Sequence, residues 1–281
     1  KLYERNMATS IIEEFMLLCN ETIAEEYFWM EMPFVYRNHE EPDSRKMDEL
    51  IEFIRNFGYN LKGSTQHSKD LQRLLSKIEN TPEERIISRV VLRSLKQARY
   101  TNTNLGHFGL AAKYYCHFTS PIRRYPDLQI HSIIKENITK GISVERNNYL
   151  DNILPDVCRQ CSKMERIAEE AEREVENLKK VEFMEDKIHQ VFEGIITSVT
   201  SWGIYVTLHN TVEGMVRIED LGKGRFIFEE HKMRYVNEKY GNKFTLGDRV
   251  NVELIRADKE ERKLDFKIFY EEEGVAEYSE L

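Results

Sequence analysis

One short segment of the sequence concentrates the residue types that could bind a phosphate. Residues 117–128 place the adjacent arginines Arg123 and Arg124 beside small hydroxyl side chains and aromatic rings. Ser120 could cap a helix whose first residue is Pro121, so free backbone N–H groups and the positive end of the helix dipole would lie near both guanidinium groups. The segment therefore predicts an anion-binding corner.

The spacing of residues alone also permits a second interpretation of these two arginines, as partners of carboxylates within the protein. Arginines at the start of a helix often pair with carboxylates from helices elsewhere in the protein, and this chain has 49 acidic and 41 basic residues, a net charge of −8. The acidic balance argues against indiscriminate nucleic-acid binding, because a general phosphate binder is usually basic throughout. It still permits a local positively charged surface along which a single nucleic-acid strand is bound.

Composition indicates a soluble globular protein with room for two domains, since 41% of the 281 residues are hydrophobic and 32% are charged. No apolar run approaches the roughly 20 residues that span a bilayer, and the first residues lack a signal peptide, so we expect a cytoplasmic protein without a membrane partner.

The four cysteines are too few for a disulfide scaffold. Cys158 and Cys161 have the spacing of half a zinc site, but they lie in a helical pattern, and we assign no metal ligands. The chain begins at Lys1 with a helix signal almost at once, so we expect a piece of a longer protein.

The first two thirds of the chain must position the corner, and their pattern is mainly helical. A capping box at residues 10–13 and an apolar face from Ile11 to Tyr27 predict a long buried helix. Shorter amphipathic helices are predicted at residues 47–57, from Ser68 and from Thr81. After Pro155 apolar residues recur at alternating steps of four and three, which predicts one long helix. A coiled-coil dimer is the alternative, but the small residues on this seam favour packing within one chain, and we expect a monomer.

Beyond residue 186 the hydrophobic period changes from helical to alternating. Five short segments alternate in this way: 191–196, 203–208, 214–218, 249–254 and 263–268. They predict a small closed barrel. The expected fold class is therefore α+β, with a mainly helical part at 1–185, a five-stranded OB-type barrel at 186–270 and an acidic tail at 271–281.

Residues 115–128, with His131 three positions later, resemble the signature of the ribonuclease II/ribonuclease R family of 3′→5′ exoribonucleases. The likeness continues upstream through residues 12–16. In the barrel, residues 192–194, 201–206 and 212–218 resemble an S1 domain, an OB-type barrel that binds single-stranded RNA. The resemblance covers nearly the whole chain. It implies the downstream half of an RNB catalytic domain followed by an S1 domain.

This resemblance implies processive hydrolysis of RNA from its 3′ end, with release of nucleoside 5′-monophosphates, and single-stranded RNA and RNA 3′ ends as partners. Family members use Mg²⁺ held by a cluster of aspartates. The aspartates of this chain are scattered singly, so the resemblance places that cluster upstream of Lys1 and implies that this chain alone is inactive. The alternatives are a non-catalytic RNA-binding protein on the same scaffold and a helical interaction module with an S1 appendage.

The resemblance also assigns candidate site residues. Arg123 would clamp the scissile phosphate. The other candidate RNA contacts of the helical part are Glu13, Glu14, Asn20, Arg37, His39, His117, Thr119, Ser120, Arg124, Tyr125, Glu172 and Arg173. In the barrel, the positions of stacking and phosphate-contacting residues are occupied by Phe192, Trp202, Tyr205 and Arg217. The sequence departs from the family at Trp202, where phenylalanine is usual, at Arg217, where histidine is common, and at Ser132, where arginine is common.

Overall fold

The computed structural model describes residues 6–61, 68–81 and 83–270. It divides into two compact units, of which the first ends at Glu169 and the second begins at Glu170. The acidic tail predicted at 271–281 lies outside the described residues. None of the helices in the described ranges combines the length and the apolar character that a membrane crossing needs.

Helices dominate the first unit, together with a two-stranded ribbon. Its elements are α1 (Met7–Trp29), β1 (Tyr36–Asn38), α2 (Ser44–Arg55), α3 (Ser68–Ile78), α4 (Glu84–Ser94), β2 (Arg99–Thr101), α5 (Tyr125–Lys140) and the first part of α6 (Val144–Glu185). β1 and β2 are antiparallel, with Tyr36 opposite Thr101. The predicted long helix is confirmed as α6, which begins at Val144 and continues through Pro155.

Two hydrophobic clusters hold the first unit together. One lies among α2, α3 and α4 and buries Leu50, Ile54, Leu74 and Ile78, which are the apolar positions that the helical pattern predicted. The other joins the C-terminal part of α1 and the middle of α5 to the ribbon and to the start of α6. Its buried members include Tyr27, Phe34, Cys116, Ile130 and Leu154. This second cluster forms the base on which the arginine segment lies.

Helix α1 begins earlier than predicted. Its N-cap is Asn6, whose Oδ1 accepts a hydrogen bond from Thr9 N at 3.0 Å, while Thr9 Oγ1 accepts one from Asn6 N at 3.0 Å. The predicted capping box at Ser10 is therefore wrong by one turn, because an asparagine and a threonine perform the same reciprocal exchange upstream.

The prediction that α1 is a long buried helix is correct only for its second half. Ala24 and Tyr27 are buried, but Ile12 is 67% exposed and Phe15 is 64% exposed. The apolar face predicted from the pattern is present, but within the described residues only its C-terminal part is covered.

The corner also differs from its prediction. Helix α5 begins at Tyr125, with Arg124 as N-cap and Pro126 in the first turn. Residues 120–124 form a turn in which Ser120 O accepts from Arg124 N at 3.1 Å. Ser120 is therefore not the N-cap. Pro126 takes the place expected for Pro121, since either proline could start a helix without losing a needed N–H group.

The second unit is built around a closed barrel. Its strands are β3 (Val191–Thr200), β4 (Gly203–Leu208), β5 (Glu213–Arg217), β6 (Phe226–Glu229), β7 (Arg234–Asn237), β8 (Lys243–Thr245), β9 (Arg249–Asp258) and β10 (Lys263–Ile268). The barrel order β10-β5-β4-β3-β9 confirms the five predicted strands. Strands β6, β7 and β8 form a separate sheet that the sequence did not predict. Tyr235 of this sheet is buried, and its hydroxyl donates to Thr200 O of β3 at 2.6 Å.

Candidate nucleic-acid interface

Asn20 of α1 fixes the backbone that leads into the arginine segment. Its side chain is fully buried; Nδ2 donates to Tyr115 Oη at 3.2 Å, and Oδ1 accepts from Phe118 N at 3.0 Å. Cys116 Sγ also donates to Asn20 O at 3.3 Å. The burial leaves Asn20 no surface for RNA in this structure. Its amide instead positions residues 115–118.

Asp127 binds the arginine turn from inside the protein. The carboxylate is fully buried, and its Oδ1 accepts from Ser120 N at 2.8 Å and from Arg124 Nη2 at 2.7 Å. Arg124 therefore pairs with a carboxylate, as the second interpretation expected, but the partner lies three residues later in the helix that Arg124 caps and not in a helix elsewhere. Asp127 also lies in the first turn of α5, where a negative charge compensates the helix dipole.

Arg123 differs from Arg124 in its surroundings. It is exposed, and its guanidinium has no hydrogen-bond or carboxylate partner within the described ranges. Its neighbour Ile122 is fully exposed, and Tyr125 is 57% exposed. A fixed turn therefore presents one unpaired guanidinium and an aromatic ring to solvent, which is an arrangement suited to binding an anion.

The side chain of Arg37 is largely committed to contacts within the protein. Only 12% exposed, it forms an ion pair with Glu165 of α6 at 2.6 Å and lies over the ring of Tyr100 at 4.6 Å. Tyr100 Oη lies 2.9 Å from His117 Nδ1. Burial lowers the pKa of His117 to about 3, with further lowering by the nearby charges of Arg124 and Arg37. His117 is therefore a neutral hydrogen-bonding group.

His39 holds the glycine-containing loop that precedes the arginine segment. Its Nδ1 accepts from Gly109 N at 3.1 Å, and a Cβ added at Gly109 would lie 2.8 Å from the same nitrogen. The ring of His39 also lies edge-on to that of His107, with centroids 5.1 Å apart. Burial lowers the pKa of His39, and burial together with the His39 charge lowers that of His107 to about 4.

We expect the free energy of unfolding to fall as the pH decreases from 7.5 to 5.0. His107 and His117 bind protons near pH 6.5 when unfolded but resist protonation until about pH 4 and 3 when folded, so each costs on the order of 1–2 kcal/mol at the lower pH. Urea unfolding at both pH values measures the change. His117→Gln should reduce this change, and an unchanged pH dependence in His117→Gln would contradict the prediction.

The remaining candidates of the helical part lie at separate places. Glu13 is half-buried and Glu14 exposed on α1, while Glu172 and Arg173 are exposed on α6. Thr119 Oγ1 is buried and has no hydrogen-bond partner within the described residues. Their roles in RNA binding stay predictions.

In the barrel, three of the four candidates share one outer face. Trp202 is 57% exposed, and its Nε1 donates to Tyr205 Oη at 3.4 Å. Arg217 lies opposite Gly203 in the β4–β5 pairing, and all three side chains line a groove of about 400 Å³. Phe192 is half-buried and lies two residues before the buried Gly194, on the core side of β3. The structure therefore separates Phe192 from the other three.

No group of three or more His, Cys, Asp and Glu side chains in the described parts of the chain is arranged to hold a metal ion. These residues therefore do not fit a magnesium centre, which needs several oxygen ligands around one point.

Comparison with known proteins matches both parts of the chain. The family model of the RNB domain matches residues 1–140, and that of the S1 RNA binding domain matches residues 185–269. The chain belongs to the RNB family. Both the resemblance inferred from residues 115–128 and the expected RNB and S1 architecture are confirmed.

Curated and solved RNB relatives extend the match over almost the whole chain. Ribonuclease R 1 of Lactococcus lactis is 40% identical over 265 residues, which cover 94% of this chain and 32% of the relative. The apo structure of Mycoplasma genitalium RNase R has a TM-score of 0.90 at 26% identity, covering 95% of this chain and 42% of that one. Its complex with ribose methylated single-stranded RNA has a TM-score of 0.89 at 26% identity, covering 96% and 43%. The chain spans about a third of the length of the curated relatives it matches.

Sequence reasoning missed Asp127 and Tyr100 as organising residues of this RNB segment. Asp127 had a usable signal, because it lies three residues after Arg124 at the start of a helix, which is a spacing that favours an ion pair. Tyr100 had none, since its partners Arg37 and His117 are brought together by the fold alone.

Proposed function

We propose that this chain supplies phosphate-positioning and RNA-binding parts of a processive 3′→5′ exoribonuclease that releases nucleoside 5′-monophosphates. The observation that carries the proposal is Arg123, an unpaired and exposed guanidinium on a turn fixed by Asp127, inside the RNB-matching residues. The RNase R relative of Mycoplasma genitalium has been solved with single-stranded RNA, which supports RNA as the ligand. Residues 1–185 would belong to the catalytic domain and residues 186–270 to the S1 domain.

In this proposal each part of the site has a separate task. The Arg123 guanidinium binds the scissile phosphate and neutralises the negative charge that develops on its oxygens. Arg124 and Asp127 hold the turn that carries Arg123. On the barrel, Trp202 and Tyr205 offer rings on which bases stack without sequence preference. Single-stranded RNA and RNA 3′ ends would be the partners of a monomeric, cytoplasmic enzyme.

The described residues do not fit a magnesium centre, so we propose that the ligands of the catalytic Mg²⁺ lie outside them. This chain by itself would then bind RNA without shortening it. A non-catalytic RNA-binding protein on the same scaffold is the second candidate, and the same lack of a metal-ligand cluster among the described residues favours it.

A degradation assay separates the two candidates. The substrate is a 5′-labelled RNA with a single-stranded 3′ tail, in the presence of Mg²⁺. We expect a form extended through the upstream coding sequence to shorten the label progressively and release mononucleotides, whereas the 281-residue chain alone only binds. An extended form that binds this RNA but never shortens it would contradict the hydrolase and favour the RNA-binding scaffold.

A further inference from the structure

The outer face of the barrel forms a groove with walls from three elements of the second unit. Trp202 comes from the turn before β4 and Tyr205 from β4 itself, Lys180 comes from the last third of α6, Arg262 comes from the turn between β9 and β10, and Lys263 is the first residue of β10. The groove volume of about 400 Å³ lies within the range of roughly 300–1,000 Å³ that is usual for small-ligand sites. It is large enough for one nucleotide and its phosphate.

The helical wall of this groove is fixed in place. Val181, the residue after Lys180, is 2% exposed. Ion pairs join α6 to the β9–β10 hairpin on both sides of Lys180, one between Glu174 and Arg262 at 2.5 Å and one between Glu185 and Lys259 at 2.5 Å. Because the backbone is held at these points, the Lys180 ammonium is confined to the groove edge rather than free to sample the whole surface.

Lys180 is also the groove cation without a carboxylate partner among the described residues. The others are paired: Arg217 with Asp265 at 3.8 Å, Arg262 with Glu174 at 2.5 Å and Lys263 with Glu261 at 3.2 Å. Lys180 is nevertheless half-buried. The carboxylates of Glu213, Glu261 and Asp265 also line the groove, but Lys180 forms no ion pair among the described residues. A half-buried ammonium without an ion-pair partner favours an anionic ligand more strongly than a paired one does.

We propose that this groove holds one nucleotide of single-stranded RNA, with its base stacked on Trp202 and its phosphate bound by Lys180. The inference rests on the proposed function and adds a phosphate contact from α6 to the barrel face. A single strand fits, since its base is free to reach the ring, whereas a duplex keeps its bases paired. Lysine supplies a point charge, so the contact favours phosphate without selecting a sequence.

The two tryptophans of the chain allow a site-specific measurement. Trp29→Phe leaves Trp202 as the fluorescent reporter, and quenching by a short oligoadenylate then follows occupancy of the groove. In that background we expect Lys180→Met, which keeps the apolar stem, to weaken binding about three- to tenfold. Loss of one phosphate contact should also lower the slope of log K against log salt by about 0.7.

Adjacent residues provide the matched controls. Lys179→Met removes the same charge one position away, from a side chain that is 68% exposed and paired with Glu182 at 2.8 Å. We expect it to leave affinity and salt slope unchanged, and Lys180→Arg to preserve most of the affinity. Equal effects of Lys180→Met and Lys179→Met would overturn the inference.

A third variant, Trp202→Ala, distinguishes failure of the Lys180 contact from failure of the RNA-binding function proposed for the barrel. The affinity of this variant for labelled oligoadenylate is measured by fluorescence anisotropy. If Trp202→Ala loses affinity while Lys180→Met does not, the barrel binds RNA as proposed and only the α6 contact is wrong. If both variants bind like the parent chain, the RNA-binding role proposed for the barrel fails as well, and the inference fails with it.

Discussion

Replacement of Arg123 by alanine is expected to slow RNA degradation by the extended form about 10²- to 10³-fold while weakening RNA binding much less. The magnitude is that of removing one positioned donor which stabilises charge developing in the transition state. The structure supports this difference because the guanidinium is exposed and unpaired within the described ranges, so its removal disturbs no internal contact. Single-turnover rates with 5′-labelled RNA, compared with equilibrium affinities in the absence of Mg²⁺, measure the two effects separately.

Two further variants show whether the effect belongs to Arg123 or to local positive charge. Lys135→Ala removes a charge from the exposed surface of α5, ten residues after Tyr125, and should leave the rate nearly unchanged. Arg123→Lys keeps the charge but loses the planar fork that binds two phosphate oxygens, so it should recover only part of the rate. If Lys135→Ala slowed degradation as much as Arg123→Ala, the clamp would be wrong and general electrostatics would explain the loss.

The spacing of hydrophobic residues predicted most of the fold. Each helix or strand buries one face, so its apolar residues recur with the period of that element. Leu50, Ile54, Leu74 and Ile78 repeat with the helical period, and all lie in the core of the α2–α4 region. Hydrophobic and polar residues alternate in the five predicted barrel strands, and the structure contains all five in its closed barrel. The β6–β8 sheet was missed, since strands of three or four residues are too short to show alternation.

The candidate site was predicted less well because sequence shows residue types but not their partners. Asn20 was expected to face RNA, yet its amide bonds to Tyr115 and Phe118, which lie 95 and 98 residues away along the chain. Gly109 N likewise donates to His39 Nδ1, a contact between residues 70 positions apart. Polar residues of an internal network and polar residues of a ligand site look alike in sequence, and only the fold separates them.

Asp127→Ala is expected to lower the free energy of unfolding by about 3–5 kcal/mol, the cost of leaving one partner of a buried ion pair without its counter-charge. The carboxylate is fully buried, and the Arg124 side chain is 17% exposed. Loss of the Asp127 carboxylate would also leave Ser120 N without an acceptor in a part-buried turn. Urea unfolding of the variant and the parent chain, analysed with a common slope, measures the difference.

Helix α6 contains a matched control for this prediction. Arg159 and Asp156 have the same three-residue spacing and the same separation of 2.7 Å as Arg124 and Asp127, but their side chains are 77% and 75% exposed. Water screens such a pair, so Asp156→Ala should change the free energy of unfolding by no more than about 0.5 kcal/mol. Equal losses in the two variants would contradict the assignment, because Asp127 is distinguished from Asp156 by its burial and by its second hydrogen bond, from Ser120 N. A large loss at Asp127 alone would mean that stability and the placement of Arg123 depend on the same carboxylate.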